Sequence, residues 1–299
     1  MDSRKSSIRS CGGLGQVSAI QASDYSPTIK KRALSRKLVE LREQCGMTTS
    51  QVCKRLQWSP SKLNYIEKAK WVEPKSDSVT DLCELYGVSA ADTEALIKLT
   101  REARQRGWWR KYNDVFRDDF VGLEAGASEI LTFETTLIPG LLQAPGYIAT
   151  VTRIAGIQDD SEVKRHVDAR LQRQEIITRK SAPCRLHALI DENALARIKD
   201  PAIRAEQIGH LIDASTSPNV KVQVLRFTSG LYAGTSEPFA YLKFSDVLER
   251  DIVYLETTVD DRMLEEDDEL QRYRTRFGQL CGAAQDAAAT SAYLATMIE

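Results

Sequence analysis

Residues Thr48 to Lys68 read as two short helices separated by a break of two residues, and this text restricts the fold of the first third of the chain more than any other feature. Thr48 and Thr49 offer hydroxyls to open a helix, after which Val52 and Leu56 fall four apart on one face. Gln57-Trp58 makes the break. Ser59 then stands as an N-cap with Pro60 at the first helical position, where a backbone N–H is not needed. In the second helix Leu63 and Ile66 point inward. Ser61, Lys62, Asn64, Tyr65 and Lys68 point outward, and all are polar, basic or aromatic. A helix that only covered a core would not need so many hydrogen-bonding groups on its free face. A helix presented to the edges of base pairs would.

The charge pattern agrees. The formal net charge of −1 is the sum of two unlike parts. Residues 1–110 carry 20 Lys and Arg against 12 Asp and Glu, and the remainder carries 21 against 30. Twelve of the basic residues lie between Lys30 and Lys75, against four acidic ones, so the excess surrounds the paired helices. A basic head on an acidic body is suited to phosphate attraction at one end.

The text from Leu34 to Val88 resembles the xenobiotic-response-element (XRE), or Cro/C1-type, head of phage repressors. That resemblance implies a lambda-repressor-like bundle of five short helices whose helix from Ser59 lies in the major groove. It implies base reading by Pro60, Ser61 and Tyr65, with Lys62 and Asn64 beside them, and phosphate contact at Thr48 and Thr49. It also implies an ion pair between Arg42 and Glu67. Pro60 stands where the family often has an amide side chain, and it offers only apolar contact, as to a thymine methyl.

The expected organisation is a disordered arm over 1–26, a helix-turn-helix domain over 27–89, a linker helix over 90–107 and an α+β domain over 108–299. The arm is rich in Ser and Gly, and its Arg4, Lys5 and Arg9 are candidates for DNA contact. The linker helix carries Leu96, Leu99 and Ala103 on one face. Trp108-Trp109 reads as a packing anchor, followed by a helix near Asp119–Thr136 with Leu123, Ala127, Ile130 and Glu134 in register. Turns are expected at Pro139-Gly140 and Pro145-Gly146, then a charged helix over Glu162–Lys180. Beyond Pro183 short strands are expected at Arg185–Asp191, Val220–Phe227, Phe239–Phe244 and Asp251–Thr257, with a helix at Pro201–Ser215. Turn-rich links suggest a small, mostly antiparallel sheet. An amphipathic helix from Leu270 to Ala284 and an alanine-rich segment close the chain. The fold class expected is mainly α with a smaller α+β part.

The body resembles the module that follows XRE heads in the WhiJ-like regulators of sporulating filamentous bacteria. The matching text is distributed: GWWRKY at Gly107–Tyr112, LEAGASEI at Leu123–Ile130, FETTLIPGLLQAPGY at Phe133–Tyr147, RLQRQEI at Arg170–Ile176, IDENAL at Ile190–Leu195, and strand-like strings near Asn219, Glu237 and Asp251. Arg226 stands where that family commonly has Pro. The resemblance implies a transcriptional regulator, often encoded near a small partner protein in an arrangement likened to antitoxin and toxin.

Chemistry elsewhere is sparse. The three histidines, His166, His187 and His210, show no metal-ligand spacing, and no nucleophile elbow is present. His187 reads as a satisfied core residue, Asp191-Glu192 as helix-capping carboxylates, and the acidic run Glu265–Glu269 as a solvated helix start. Arg170, Arg173 and Gln174 share a helix face within one turn and, facing Glu134 or Gln143, are candidates to frame a ligand pocket or partner groove. An internal ion-pair network explains the same residues and is the stronger expectation.

The expected function is therefore a DNA-binding transcriptional regulator acting as a homodimer on double-stranded DNA, with no cofactor and no enzymatic activity. The alternatives are an antitoxin-like module that binds a small partner protein and a small-molecule sensor. No run of about 18 apolar residues occurs and the first residues lack an apolar leader core, so no membrane span is expected. Six scattered cysteines without a CxxC read as reduced and mostly buried, which suits a cytoplasmic, nucleoid-associated protein.

Overall fold

A computed structural model describes residues 26–116, 120–232, 237–245, 249–257 and 261–298. The expected arm thus lies outside the described residues, except for Ser26. The chain divides into two compact units, Met1–Gly107 with Asp246–Glu249, and Trp108–Ser245 with Arg250–Glu299.

The first unit is a bundle of five helices. α1 (Pro27–Gln44) starts on Ser26, whose hydroxyl accepts from Ile29 N, with Pro27 at the first position. It buries Ile29, Ala33, Leu34, Leu38 and Leu41 along one stripe. α2 (Thr49–Leu56) opens with a capping box: Thr48 Oγ1 accepts from Gln51 N, and the Gln51 amide oxygen accepts from Thr48 N at 2.8 Å. α3 (Pro60–Glu67) starts on Ser59, α4 (Ser76–Tyr86) ends at Gly87 with φ 68°, and α5 (Ala90–Ala103) starts on Ser89.

The core joins Leu34, Leu38, Val52, Leu63, Val79 and Leu82, all at most 1% exposed. Each such side chain contributes about 1.5–3 kcal/mol relative to leaving it in water. Leu96 and Leu99 belong to this same core, and α5 lies along α1. This corrects the expected linker over 90–107: the apolar face of α5 is the fifth wall of the head. Periodicity reveals such a face but not what it covers.

The second unit packs helices around a six-stranded mixed sheet of order β3-β2-β1-β4-β5-β6. After a 3-10 turn at Trp108–Tyr112 come α6 (Phe120–Gly126) and β1 (Glu129–Glu134), then a 3-10 turn at Gly140–Leu142, α7 (Pro145–Ile154) and α8 (Asp160–Thr178). β2 (Arg185–Asp191), α9 (Glu192–Ala196), α10 (Pro201–Ser215) and β3 (Val220–Leu225) follow. β4 (Phe239–Lys243), β5 (Ile252–Leu255), β6 (Arg262–Leu264), α11 (Asp267–Ala283) and α12 (Ala287–Thr296) complete it.

β1 pairs in parallel with β2, and β2 with β3. On its other edge β1 pairs antiparallel with β4. The three pairings from β1 to β6 are antiparallel, so the sheet is mostly antiparallel by pairs yet parallel in its first half. The single helix expected near Asp119–Thr136 is corrected: the chain leaves the helix at Gly126, and Ile130, Leu131, Thr132 and Phe133 form the buried stretch of a central strand. Those four residues are bulky or β-branched and covered on both faces, which favours a strand over the helical spacing they also satisfy. Pro145-Gly146 likewise opens α7 rather than making a turn.

Trp109 packs with Val121 and Ala125, and Trp108 meets it edge-on with ring centroids 6.0 Å apart. Cys53, Cys83 and Cys184 are buried, and Cys45 and Cys281 half-buried.

Candidate nucleic-acid interface and a cleft in the second unit

In the first unit α3 is anchored by two side chains and displays the others. Leu63 and Ile66 are buried, at 1% and 3% exposure. Thr48, Thr49, Ser59, Pro60, Ser61, Lys62, Asn64, Tyr65 and Lys68 are all exposed. Tyr65 has 54% of its surface free, a large apolar ring held out in water. Ser59 Oγ accepts from Lys62 N at 3.2 Å, so the hydroxyl fixes the helix start where Pro60 cannot donate. The break before it is made by Gln57, which takes a left-handed conformation at φ 53°.

Electrostatics favour an anion on this surface. No carboxylate occurs between Glu43 and Glu67, whereas Lys54, Arg55 and Lys62 do. Lys62 Nζ sits 3.4 Å from the centre of the Trp58 ring. Partial burial holds its ammonium below the ordinary lysine pKa, with nearby Lys75 adding to the effect and Asp81 opposing it. Behind the helix, Arg42 Nε donates to Glu67 Oε1 at 2.6 Å and Nη2 to Oε2 at 3.3 Å, while Nη1 donates to Met47 O at 3.0 Å. Sequence reasoning passed over Gln51, Lys54, Arg55 and Trp58. The T-x-x-Q spacing from Thr48 was the available signal for Gln51.

The second unit brings the other candidate group together around one cleft. Gln174 Nε2 donates to Gly140 O and Gln143 O at 3.1 and 2.8 Å, and Gln143 Nε2 donates to Ile138 O at 2.8 Å. These amides fold the Ile138–Gln143 loop onto α8. Arg173 pairs with Glu124 on α6, Nη2 to Oε1 at 2.9 Å. A Cβ on Gly140 would lie 3.1 Å from Arg173 Nη1, so glycine is what lets the guanidinium pass the loop. Gln174, Gln143 and Arg173 thus act within the internal network.

Arg170 and Glu134 do not pair in this way. Arg170 donates to Gln143 Oε1 at 3.3 Å, and among the described residues it forms no ion pair. Burial lowers its pKa, nearby Arg173 lowers it further, and Glu256 counters. Glu134 has one long hydrogen bond, 3.5 Å from Thr132 Oγ1. Protein surrounds its carboxyl closely, yet the group keeps surface open to the cleft. Burial first, and the charge of Glu256 second, push its pKa up to about 8. The cleft has a volume of about 210 Å3.

His187, Asp191 and Glu192 each engage other groups of the second unit. His187 Nε2 lies 2.7 Å from Gln223 Oε1. Asp191 caps α9 by accepting from Asn193 N at 2.7 Å. Glu192 accepts from Arg226 Nε, Phe227 N and Tyr293 Oη at 2.7–2.9 Å. Asp267, Asp268 and Glu269 form the first turn of α11, where acidic residues suit the helix dipole. Among the described residues no group of three His, Cys, Asp or Glu side chains is placed to hold a metal ion, and no helix is long and apolar enough to cross a membrane.

Comparison with known families covers both units. A helix-turn-helix domain family matches residues 33–96, from α1 into α5. A second family, described as a domain of unknown function (DUF5753), matches residues 117–296. The chain belongs to the DUF5753 family. The DUF5753 match takes in the whole sheet and the cleft, so the groups around Arg170 and Glu134 lie inside the family's own domain. The helix-turn-helix match coincides with the five-helix bundle and marks a DNA-binding head attached to a DUF5753 body. No curated protein and no solved structure matches the chain significantly.

Proposed function

We propose that the chain is a sequence-specific transcriptional regulator of the XRE type, with a WhiJ-like body, that reads duplex DNA with α3. The observation that carries this reading is the exposed row Ser61, Lys62, Asn64 and Tyr65 on a helix capped by Ser59, in a stretch free of carboxylates from residue 44 to 66. Ser61 and Asn64 donate or accept at base edges, Tyr65 supplies apolar contact, and Lys62 and Lys68 meet phosphate or guanine. Thr48 and Thr49 at the start of α2 sit on the backbone.

One such head covers a half-site, so the regulator acts as a homodimer on a two-fold operator. The DUF5753 body supplies the dimer contact and a sensing surface, and it works by binding rather than by turnover. Selection of bound fragments from genomic DNA with the full chain, followed by titration at several salt concentrations, tests the reading. A selected motif with two half-sites and an affinity that falls steeply with salt is the expected result. Absence of any enriched fragment would remove sequence-specific regulation from consideration.

A further inference from the structure

The cleft of the second unit lies at the carboxyl end of β1. Moving outward from β1, the chain continues to β2 and β3 on one side and reaches β4 only later on the other. β4 runs antiparallel to β1, so β1 and β2 end at this edge of the sheet while β4 begins there. Glu134 is the last residue of β1, and the cleft runs from it to Pro238 and Phe239 at the start of β4.

The charged groups around this cleft are not all held in ion pairs. Glu124, Glu134 and Glu256 face Arg170 and Arg173. Arg173 and Glu124 satisfy each other through two hydrogen bonds. That leaves Arg170, held by a neutral amide with the Glu256 charge nearby, and Glu134, close enough to Glu256 for that charge to raise its proton affinity. A simple anion would meet Arg170 but add repulsion from Glu256. A simple cation would meet Glu256 but add repulsion from Arg170. A molecule carrying both charges answers both groups, its ammonium displacing the proton that burial otherwise keeps on Glu134.

The rest of the lining fixes size and polarity. Phe120 stacks on Tyr254 with ring centroids 4.0 Å apart, and Ile138 and Leu141 add apolar wall. The volume of about 210 Å3 falls below the roughly 300–1,000 Å3 of sites for drug-sized molecules. We propose that this cleft binds a small zwitterion of the α-amino acid class, its carboxylate on Arg170, its ammonium between Glu134 and Glu256, and an apolar side chain against Phe120 and Tyr254. This deepens the sensing role given to the body above and rests on that reading for its regulatory meaning.

The test uses the full chain and the standard L-amino acids as probes. Melting temperature is measured with each, and every amino acid that raises it is compared with its decarboxylated amine and its des-amino acid. At least one amino acid is expected to raise the melting temperature saturably, while its amine and acid analogues do not. Arg170→Gln and Glu134→Gln are each expected to weaken that response at least roughly tenfold. A set with no response, an amine or acid as effective as the amino acid, or a response unchanged in both variants would overturn the assignment. If a variant does not fold, the analogue comparison on the wild-type chain decides alone. DNA affinity measured on the same preparation separates the two readings: intact DNA binding without an amino-acid response removes the cleft assignment only, and the converse removes the DNA reading only.

Discussion

Arg42 on α1 and Glu67 at the end of α3 share a two-pronged ion pair, with Nε and Oε1 2.6 Å apart and each side chain 13% exposed. The same guanidinium holds Met47 O in the loop before α2, so one side chain ties together three parts of the head. Glu67→Ala leaves that charge without its main partner and is expected to cost roughly 1.5–3 kcal/mol of local stability. Hydrogen–deuterium exchange of the α3 amides would report it as faster opening. Unchanged exchange would show that the apolar contacts of Leu63 and Ile66 position the helix by themselves.

Lys62→Ala is expected to weaken DNA binding by about 1–3 kcal/mol if the ammonium reaches a base edge. If it meets phosphate alone, the loss will be similar on all sequences and the salt dependence shallower by about one charge. Titration of a selected and a scrambled duplex at several salt concentrations distinguishes the two. Equal affinity and equal salt slope in mutant and wild type would take Lys62 out of the interface. Tyr65→Ala should alter the ranking of selected sites while leaving the fold intact, because its ring is 54% exposed.

Glu134 makes stability depend on pH in a direction opposite to that of a salt-bridged carboxylate. Burial and the Glu256 charge raise its pKa from 4.5 to about 8, against the lowering effect of Thr132 and Arg173. Within that window the folded chain holds a proton that the unfolded chain has released. Stability is therefore fullest below about pH 4.5 and falls as pH rises towards about 8, by at most about 1.4 kcal/mol per pH unit from this group. Glu134→Gln keeps the shape without the titration. Urea denaturation of the second unit at mildly acidic and mildly alkaline pH should show a smaller alkaline loss in the variant, and parallel losses would contradict the assigned proton.

Gly140→Ala places a methyl group 3.1 Å from Arg173 Nη1, and Arg173 is held in place by Glu124. The expected cost is about 1–3 kcal/mol. In an Arg173→Ala background the obstruction is gone, so the two substitutions should be non-additive in a double-mutant cycle. Additive costs would mean that the loop, rather than the guanidinium, resists the methyl group.

The legible parts of this protein are those set by local chemistry. Ser26-Pro27, Thr48 with Gln51, Ser59-Pro60 and Gly87 bound the helices of the head by hydrogen bonds spanning a few residues, and each signal is present in the text itself. Pro201–Ser215 was readable in full for the same reason, with Asp200 capping it. The illegible parts depend on distant partners. Leu123, Ala127 and Ile130 fit a helical spacing, but burial between β2 and β4 decides that Ile130 lies in a strand. The apolar face of α5 was visible, yet its place against α1 was not.

The candidate cleft shows the same division. The clustering of Arg170, Arg173 and Gln174 on one helix turn follows from their spacing. That Arg173 finds Glu124, forty-nine residues away, while Arg170 meets the Gln143 amide, follows from the fold. The internal network and the lining of the cleft use different members of the group.

The central claim is that the free face of α3 enters a duplex groove. Fluorescence anisotropy of a labelled, selected DNA fragment against the full chain, and against a chain with Ser61, Lys62, Asn64 and Tyr65 all changed to Ala, measures it directly. The wild-type chain should bind with an affinity that falls steeply as salt is raised, and the substituted chain should retain only weak, sequence-indifferent binding. Equal, sequence-selective binding by both chains, or no binding by the wild type even at low ionic strength, would contradict the account.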